Sequence, residues 1–221
     1  MSILRVRNIN KTYRSSKVEV RALRDVNLDI KKGEFVSIVG PSGSGKSTLL
    51  KIIGGIERPD TGYVFIDGLN IQKLSEDNLA IFRRRKIGFV FQFFNLVPVL
   101  SVRENILLPI LLDNRKVDEA FFKKLVGELN LSDRLDFLPS ELSGGGMQRT
   151  ALARALISKP SIILADEPTG NLDTAMSREI VNLLKLSSRA YDQTIILITH
   201  SYEVAKASDR TIKLRDGVIY E

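Results

Sequence analysis

The sequence predicts an α/β fold with a central parallel sheet, an N-terminal antiparallel β subdomain and an inserted α-helical subdomain. Four short apolar runs, 35–39, 87–91, 162–165 and 194–199, are rich in β-branched and aromatic residues, as buried parallel strands are. Two of them lead directly into helical patterns, and this alternation is typical of a sheet covered by helices. Between residues 93 and 158 the apolar spacing is helical and strand signals are absent.

The elements follow in chain order. Short strands are predicted over 3–6, 21–24 and 26–30, with a turn at 14–17, and a further strand over 63–66 follows a turn signal at 59–62. Helices are predicted over 101–112, 117–129 and 144–158. We therefore expect residues 1–92 and 159–221 to form the core with its β subdomain, and residues 93–158 to form the helical subdomain.

Composition limits the possible functions. The 221 residues carry 33 Lys and Arg against 26 Asp and Glu, a net charge of +7, with no Cys and one His. These counts exclude disulfide scaffolds, thiolate zinc sites, cysteine nucleophiles and sites of several histidines. No apolar run approaches the roughly 20 residues of a membrane span, and no signal-peptide order opens the chain. We expect a soluble, intracellular protein with an anionic partner: nucleotide, nucleic acid or an anionic membrane face.

A phosphate-binding loop is the most specific motif. Gly40–Thr48 matches G-x-x-x-x-G-K-[ST] between a predicted strand and a helix predicted over 48–53. Glycines let backbone N–H groups face the phosphates, and the helix N-terminus favours anions. Lys46 is expected to reach the β and γ phosphates, and the Ser47 hydroxyl to ligate Mg²⁺. The predicted core is thus a P-loop NTPase, with phosphate-binding residues Gly40, Ser42, Gly43, Ser44, Gly45, Lys46, Ser47 and Thr48.

Two further strands end in residues suited to phosphate chemistry. Asp166 ends an apolar strand and is predicted to bind Mg²⁺, directly or through water. The next side chain points the other way, so Glu167 is predicted to orient or deprotonate the attacking water, held extended by Pro168. His200 follows strand 194–199 and is predicted to contact the γ-phosphate, the alternative being a surface or core histidine.

A second candidate anion-binding element lies at 142–149. Ser143 is a suitable N-cap, and Gly144, Gly145 and Gly146 expose backbone donors at the start of an amphipathic pattern. Three glycines destabilise a helix, so a flexible loop is the alternative.

Over essentially the whole chain, the sequence resembles the ATP-binding cassette ATPases. The segments that carry this resemblance, in the family's order, are Gly40–Thr48, Gln92, Leu142–Arg149, Ile162–Glu167, Gly170–Asp173 and His200. The resemblance implies a head-to-tail homodimer with two ATP molecules, each held between the phosphate loop of one subunit and Ser143, Gly144 and Gly145 of the other. It also implies that Tyr13 stacks on adenine, that Gln92 senses Mg²⁺ and the attacking water, and that Asp173 communicates across the dimer. The expected catalytic residues are Glu167, His200, Gln92 and Lys46, and the expected Mg²⁺ residues are Ser47, Gln92 and Asp166.

One position departs from the family pattern. The family's usual signature is Leu-Ser-Gly-Gly-Gln, whereas residue 146 here is glycine. We hypothesise slower or more partner-dependent hydrolysis with ATP binding intact.

Finer segments resemble one subfamily. Residues 57–62, 91–98, 104–105 and 168–173 are similar to the macrolide-export, lipoprotein-release and antimicrobial-peptide-resistance cassettes. That resemblance implies a separately encoded membrane permease as partner and a location at the cytoplasmic face of the membrane. Alternatives are a cell-division-type cassette ATPase that regulates a membrane partner without transport, a cassette ATPase of DNA repair or translation, and a small-molecule P-loop kinase.

Two smaller expectations concern surfaces. Phe89, Phe91 and Phe93 are predicted to share a buried strand face, and the apolar loop 95–99 to dock a permease helix. The basic run 83–86 is interpreted as a solvated face near anionic lipid headgroups, and no nucleic acid is expected.

Overall fold

Two sheets organise the chain. The computed structural model describes residues 2–15 and 19–220, so residues 16 and 17 of the turn predicted at 14–17 lie outside the described residues. Within these ranges the elements are β1 (Ser2–Arg14), β2 (Glu19–Lys31), β3 (Phe35–Val39), α1 (Lys46–Ile53), β4 (Thr61–Ile66), β5 (Leu69–Asn70), α2 (Glu76–Lys86), β6 (Ile87–Phe91), α3 (Val102–Leu111), α4 (Glu119–Glu128), α5 (Gly144–Leu156), β7 (Ile162–Asp166), α6 (Thr174–Ala190), β8 (Thr194–Ile198), α7 (Tyr202–Ala205), β9 (Arg210–Arg215) and β10 (Val218–Tyr220), with short 3₁₀ turns at Ile71–Lys73 and Pro139–Glu141.

The larger sheet confirms the predicted parallel core. Its order is β10-β9-β3-β8-β7-β6, parallel throughout except for the β9–β10 hairpin. Side chains alternate between its two faces, so Val36 and Ile38 enter the hydrophobic core that α1 shares, whereas Phe35 enters the core shared with α3, α4 and α5. Burial on both faces explains the uninterrupted apolar runs in the sequence.

The smaller sheet is antiparallel, in the order β2-β1-β4-β5. It confirms the predicted antiparallel strands, but β1 and β2 are continuous strands of 13 residues each, where the sequence predicts short pieces. Register shifts interrupt their pairing between Val6 and Ile9, and again before Lys11. A bulge changes which face the following residues occupy, so the alternation of apolar and polar residues breaks although the strand continues.

Residues 93–158 are helical, as predicted, and the described chain has no strand between β6 and β7. Ser101 and Glu104 form a capping box at the start of α3, and Asp118 caps α4, which therefore begins two residues later than predicted. That this segment forms a separate subdomain stays a prediction. None of the helices in the described residues is both long and apolar enough to span a bilayer.

The structure corrects one surface prediction and adds detail to another. Strand β6 ends at Phe91, so Phe93 leaves the strand face and is 71% exposed, whereas Phe89 and Phe91 stack with ring centroids 5.4 Å apart. The basic run 83–86 is partly exposed, with the Arg85 and Lys86 side chains at 53% and 47%, and each of its four side chains also has a protein partner. Its proximity to lipid headgroups stays a prediction. Arg83 donates to the carbonyl oxygen of Gly55, Arg84 to that of Leu112, Arg85 to the Asp113 carboxylate and Lys86 to the Asp67 carboxylate. These contacts tie α2 to the surrounding loops.

Candidate functional site

The loop between β3 and α1 curves around a concave site, and two of its glycines adopt the backbone conformations that this curvature needs. Gly43 and Gly45 have φ values of +76° and +101°, in the left-handed region that residues with a Cβ rarely adopt. A Cβ at Gly45 would also overlap the carbonyl oxygen of Ala22. The predicted helix begins at Lys46 instead of Thr48, so its first N–H groups belong to the loop itself.

Lys46 is buried inside this loop. Its Nζ donates to the carbonyl oxygens of Gly40 and Pro41, each at 2.8 Å. Burial lowers the pKa of the Lys46 ammonium, an effect that the nearby carboxylates of Glu167 and Asp166 oppose. Its neighbours within hydrogen-bond distance are these two carbonyls and, at 3.5 Å, the Ser44 hydroxyl, all of them uncharged, so the ammonium is well placed to neutralise a phosphate that enters the loop.

Ser47 and Asp166 meet across the edge of the sheet. The Ser47 hydroxyl donates to Asp166 Oδ1 at 3.1 Å, and burial raises the pKa of the Asp166 carboxyl. No cluster of three or more acidic or histidine residues in the described part of the chain could hold a metal alone. Mg²⁺ usually binds one or two protein carboxylates and completes its octahedron with phosphate and water oxygens. One hydroxyl and one carboxylate beside a phosphate cradle fit that requirement.

Glu167 differs from its predicted conformation. Its φ is +47°, so the prediction of an extended residue held by Pro168 is wrong. Its N–H donates to the carbonyl oxygen of Ile198 and its own carbonyl accepts from the N–H of Gly170, each at 3.0 Å, and these contacts fix the turn. A left-handed non-glycine residue costs about 1–3 kcal/mol and persists only where its surroundings enforce it.

The Glu167 carboxylate faces His200. Glu167 Oε2 lies 3.0 Å from His200 Nδ1, and this buried oxygen accepts no well-aligned hydrogen bond within the described residues. The Glu167 side chain is 18% exposed, whereas that of His200 is 73% exposed. A buried carboxylate oxygen without a donor is an unsatisfied acceptor, available to a water molecule that enters the site.

Tyr13 completes the cavity at the end of β1. Its hydroxyl donates to Glu57 Oε2 at 2.7 Å, and Lys11 Nζ lies 5.6 Å from the ring centroid while pairing with Glu57 Oε1 at 3.1 Å. The ring is 41% exposed. Sequence reasoning did not single out Lys11, and it used Glu57 only as part of the segment 57–62, because residues 46 positions apart meet only in the folded chain.

One cavity of about 460 Å³ collects most of the predicted site. Its lining includes Tyr13, Ser42, Gly43, Ser44, Gly45, Lys46, Ser47, Thr48, Glu167 and His200. Gly40 accepts from Lys46 behind the loop, and Asp166 contacts Ser47 beside it.

Gln92, Asp173 and residues 143–145 are outside that lining. Gln92 Nε2 donates to Asn171 Oδ1 at 3.3 Å, and Asn171 Nδ2 donates back to the Gln92 carbonyl at 3.1 Å. Asp173 is exposed and caps α6 by accepting from the Met176 N–H at 2.9 Å. Asn171, which sequence reasoning did not single out, therefore links Gln92 to the segment that follows Glu167.

The glycine-rich segment is the start of α5 and not a flexible loop. Ser143 caps this helix, and its Oγ accepts from the Gly146 N–H at 3.2 Å. Gln148, also missed from the sequence, is fully buried and donates to the carbonyl oxygen of Pro168 at 2.6 Å. The start of α5 is thereby fixed against the residue next to Glu167.

Strands β3 and β7 bring the phosphate loop and the acidic pair to the same carboxyl edge of the parallel sheet, which defines the P-loop NTPase class. Comparison with known families narrows the class. The family model described as "ABC transporter" matches residues 23–170, and the chain belongs to this family as an ATPase cassette.

Several curated relatives are similar over almost their whole length. The chain is 44% identical over 220 residues to the lipoprotein-releasing system ATP-binding protein LolD of Porphyromonas gingivalis, with 99% of each chain covered. It is 43% identical to the macrolide export ATP-binding/permease protein MacB of Syntrophobacter fumaroxidans, but it spans only 31% of that protein. Among solved structures, the dimeric post-hydrolysis state of the ATP-binding cassette MJ0796 bound to ADP and Pi matches with a TM-score of 0.90 and 43% identity, covering 99% of this chain and 97% of that chain.

Proposed function

We propose that this chain binds and hydrolyses ATP with Mg²⁺ and thereby energises a membrane permease. The single observation that carries the proposal is the cavity in which an exposed aromatic ring, a buried lysine, an unsatisfied carboxylate and a histidine converge. Tyr13 would stack on the adenine, and the loop 40–48 would hold the phosphates. The reaction is phosphoryl transfer to water.

Each residue has a role that follows from its surroundings. Lys46 and the N-terminus of α1 neutralise the phosphates. Glu167, whose Oε2 lacks an aligned donor, accepts a proton from the attacking water, and His200 steadies the γ-phosphate. Ser47 and Asp166 would hold Mg²⁺, with Gln92 approaching from its loop. The bound ion would neutralise charge that develops on the phosphate oxygens.

A homodimer would complete the site. Residues 143–145 do not line the cavity of their own chain, although Ser143 and Gly144 present a helix N-terminus to the surface. The similar cassette MJ0796 forms dimers in two solved structures. We infer that α5 of one subunit closes over the ATP of the other, with Asp173 near the contact.

Replacing Gly146 by Gln tests the departure in the signature. A Cβ at this position would lie 3.3 Å from Leu142 Cβ, a contact that a small shift relieves. We expect turnover to rise roughly threefold to tenfold, because one added hydrogen bond of an uncharged amide contributes about 0.5–1.5 kcal/mol. Gly146→Ala is the matched control, since it adds the same Cβ and helix propensity without the amide. Steady-state phosphate release, with and without permease, measures the effect, and equal rates for both variants would refute the hypothesis.

Two observations support a membrane permease as partner: the names of the relatives and an exposed apolar surface. Homologues carry names of ATP-binding subunits and of ATP-binding/permease fusions, which supports a partner in the membrane and a location at its cytoplasmic face through that partner. We favour the macrolide-export and lipoprotein-release type. A groove of about 500 Å³ lies where the core meets the helical segment; apolar side chains on its wall are Ile56, Phe89, Phe91, Leu108 and Leu112. Phe93 precedes the loop 95–99 and is 71% exposed, and Val99, the last residue of the loop, is 79% exposed.

Val99→Asp tests that surface. We expect permease co-purification to fall at least tenfold, since a charge buried in an apolar contact costs several kcal/mol, while ATP binding stays within twofold. Leu186→Asp is the control, because Leu186 is likewise an exposed apolar side chain, at 62%, but lies on α6 and not in the loop 95–99. Equal loss for both variants, or loss of ATP binding together with the permease, would contradict docking at residues 95–99.

A further inference from the structure

Arg154, in the last turn of α5, makes an unusual pair of contacts. Its Nη1 donates to the carbonyl oxygen of Asn95 at 2.7 Å, and its Nη2 donates to that of Phe94 at 2.8 Å. The described residues 2–15 and 19–220 place no carboxylate within ion-pair distance of Arg154. Burial lowers the pKa of its guanidinium. This half-buried guanidinium binds two adjacent carbonyl oxygens, so its hydrogen bonds stabilise that stretch of backbone.

The backbone that Arg154 holds is strained. Phe94 and Asn95 have φ values of +61° and +50°, so two successive non-glycine residues adopt the left-handed conformation. Such residues occur singly as a rule, at about 1–2 kcal/mol each. The planar fork of an arginine can bind two neighbouring carbonyls at once, which a lysine cannot do with the same geometry. Arg154 therefore stabilises a turn that the sequence disfavours.

This turn directly follows Gln92. The Phe94 N–H donates to the carbonyl oxygen of Phe91 at 3.2 Å, so the turn is anchored to the end of β6 on either side of Gln92. On the other side, Gln92 exchanges two hydrogen bonds with Asn171. Its position thus depends on two tethers, one from Asn171 and one from the turn under Arg154.

We propose that Arg154 is a positioning residue that sets the place of Gln92 through the Phe94–Asn95 turn. Helix α5 begins at Ser143, holds the Pro168 carbonyl through Gln148 and ends near Arg154. One rigid helix thereby contacts the loops that carry Gln92 and Glu167. Arg154 also lines the groove proposed above to bind the permease. A permease helix bound in that groove would therefore contact the same guanidinium that holds the Phe94–Asn95 turn. The effect of Arg154 on ATP hydrolysis rests on the proposed function, whereas its effect on the Phe94–Asn95 turn does not.

Arg154→Gln, Arg154→Lys and the control Arg103→Gln test the proposal. Arg103 lies in the same helical segment, and the polar contact of its guanidinium in the described residues is with Glu119 at 2.9 Å, not with the turn. In nucleotide-free protein, amide hydrogen exchange at residues 94 and 95 should accelerate about tenfold or more in Arg154→Gln, and less in Arg154→Lys, relative to Arg103→Gln. In ATP hydrolysis, kcat should fall about tenfold with KM for ATP within threefold, and half-saturation with Mg²⁺ should shift to higher concentration.

The possible results distinguish a positioning role of Arg154 from a purely structural one. Unchanged exchange at 94 and 95 overturns the proposal, and so does faster exchange spread over all of α5, because that pattern means a purely structural arginine. Faster local exchange with unchanged kcat and Mg²⁺ dependence also overturns it, because Gln92 would then not depend on the turn. A wild-type chain that hydrolyses no ATP would refute the proposed function, whereas the exchange result would still decide whether Arg154 holds the turn.

Discussion

Replacing Glu167 by Gln is expected to lower ATP turnover about a thousandfold while ATP still binds, because a general base contributes roughly 10²–10⁴ to the rate. Within the described residues the carboxylate makes no hydrogen bond or ion pair with the phosphate loop, and its buried Oε2 is an unsatisfied acceptor in the cavity. The isosteric amide preserves volume but cannot accept the proton of water. Single-turnover phosphate release measures the rate, and a fluorescent ATP analogue measures binding.

The same variant tests the dimer. An enzyme that binds ATP without hydrolysing it should accumulate as the ATP-bound dimer and elute earlier on size exclusion. Glu76→Gln is the control: this carboxylate pairs with Arg58 on the surface at 2.7 Å, a kind of contact that contributes little to stability, and the variant should behave as wild type. Near-normal hydrolysis by Glu167→Gln would remove Glu167 from the role of base. A variant that binds ATP yet remains monomeric would contradict the two-subunit site.

Local chemistry made much of the core predictable. The phosphate loop, the buried parallel strands and the Ser143 cap of α5 each depend on residues adjacent in sequence, so their signals survive without knowledge of the fold. For the same reason, the predicted bounds of strand β7, 162–165, differ from the observed ones by one residue.

What the sequence could not predict depends on distant contacts. The left-handed Glu167 is fixed in part by the Ile198 carbonyl, and Arg154 meets Phe94 across 60 positions. No local pattern encodes either contact. The bulges of β1 and β2 concealed continuous strands, because alternation is lost wherever a bulge shifts the face. The exposure of Phe93 escaped prediction because the strand ends two residues earlier.

Lys46→Ala should abolish function at the binding step. Lys46 is the one lysine or arginine in the lining of the cavity as the described residues form it. Charge-assisted hydrogen bonds, of the kind its ammonium would make to phosphate, are worth about 1.5–3 kcal/mol each. We therefore expect affinity for ATP to fall about a hundredfold or more and hydrolysis to become undetectable. Titration calorimetry measures the affinity, and Lys51→Ala, which removes an exposed lysine from the same helix, should stay within about threefold of wild type.

Thermal stability distinguishes this loss from unfolding. Because burial lowers the pKa of Lys46, the folded protein disfavours its charged form, so the ammonium destabilises the nucleotide-free fold at any pH below its folded pKa. Removing it relieves that cost, while the carbonyls of Gly40 and Pro41 lose their donor. We expect the melting temperature of Lys46→Ala without nucleotide to equal or exceed that of wild type, and the rise in melting temperature on adding ATP to disappear. A variant that melts lower and still gains stability from ATP would mean that Lys46 supports the loop and that other groups hold the phosphates.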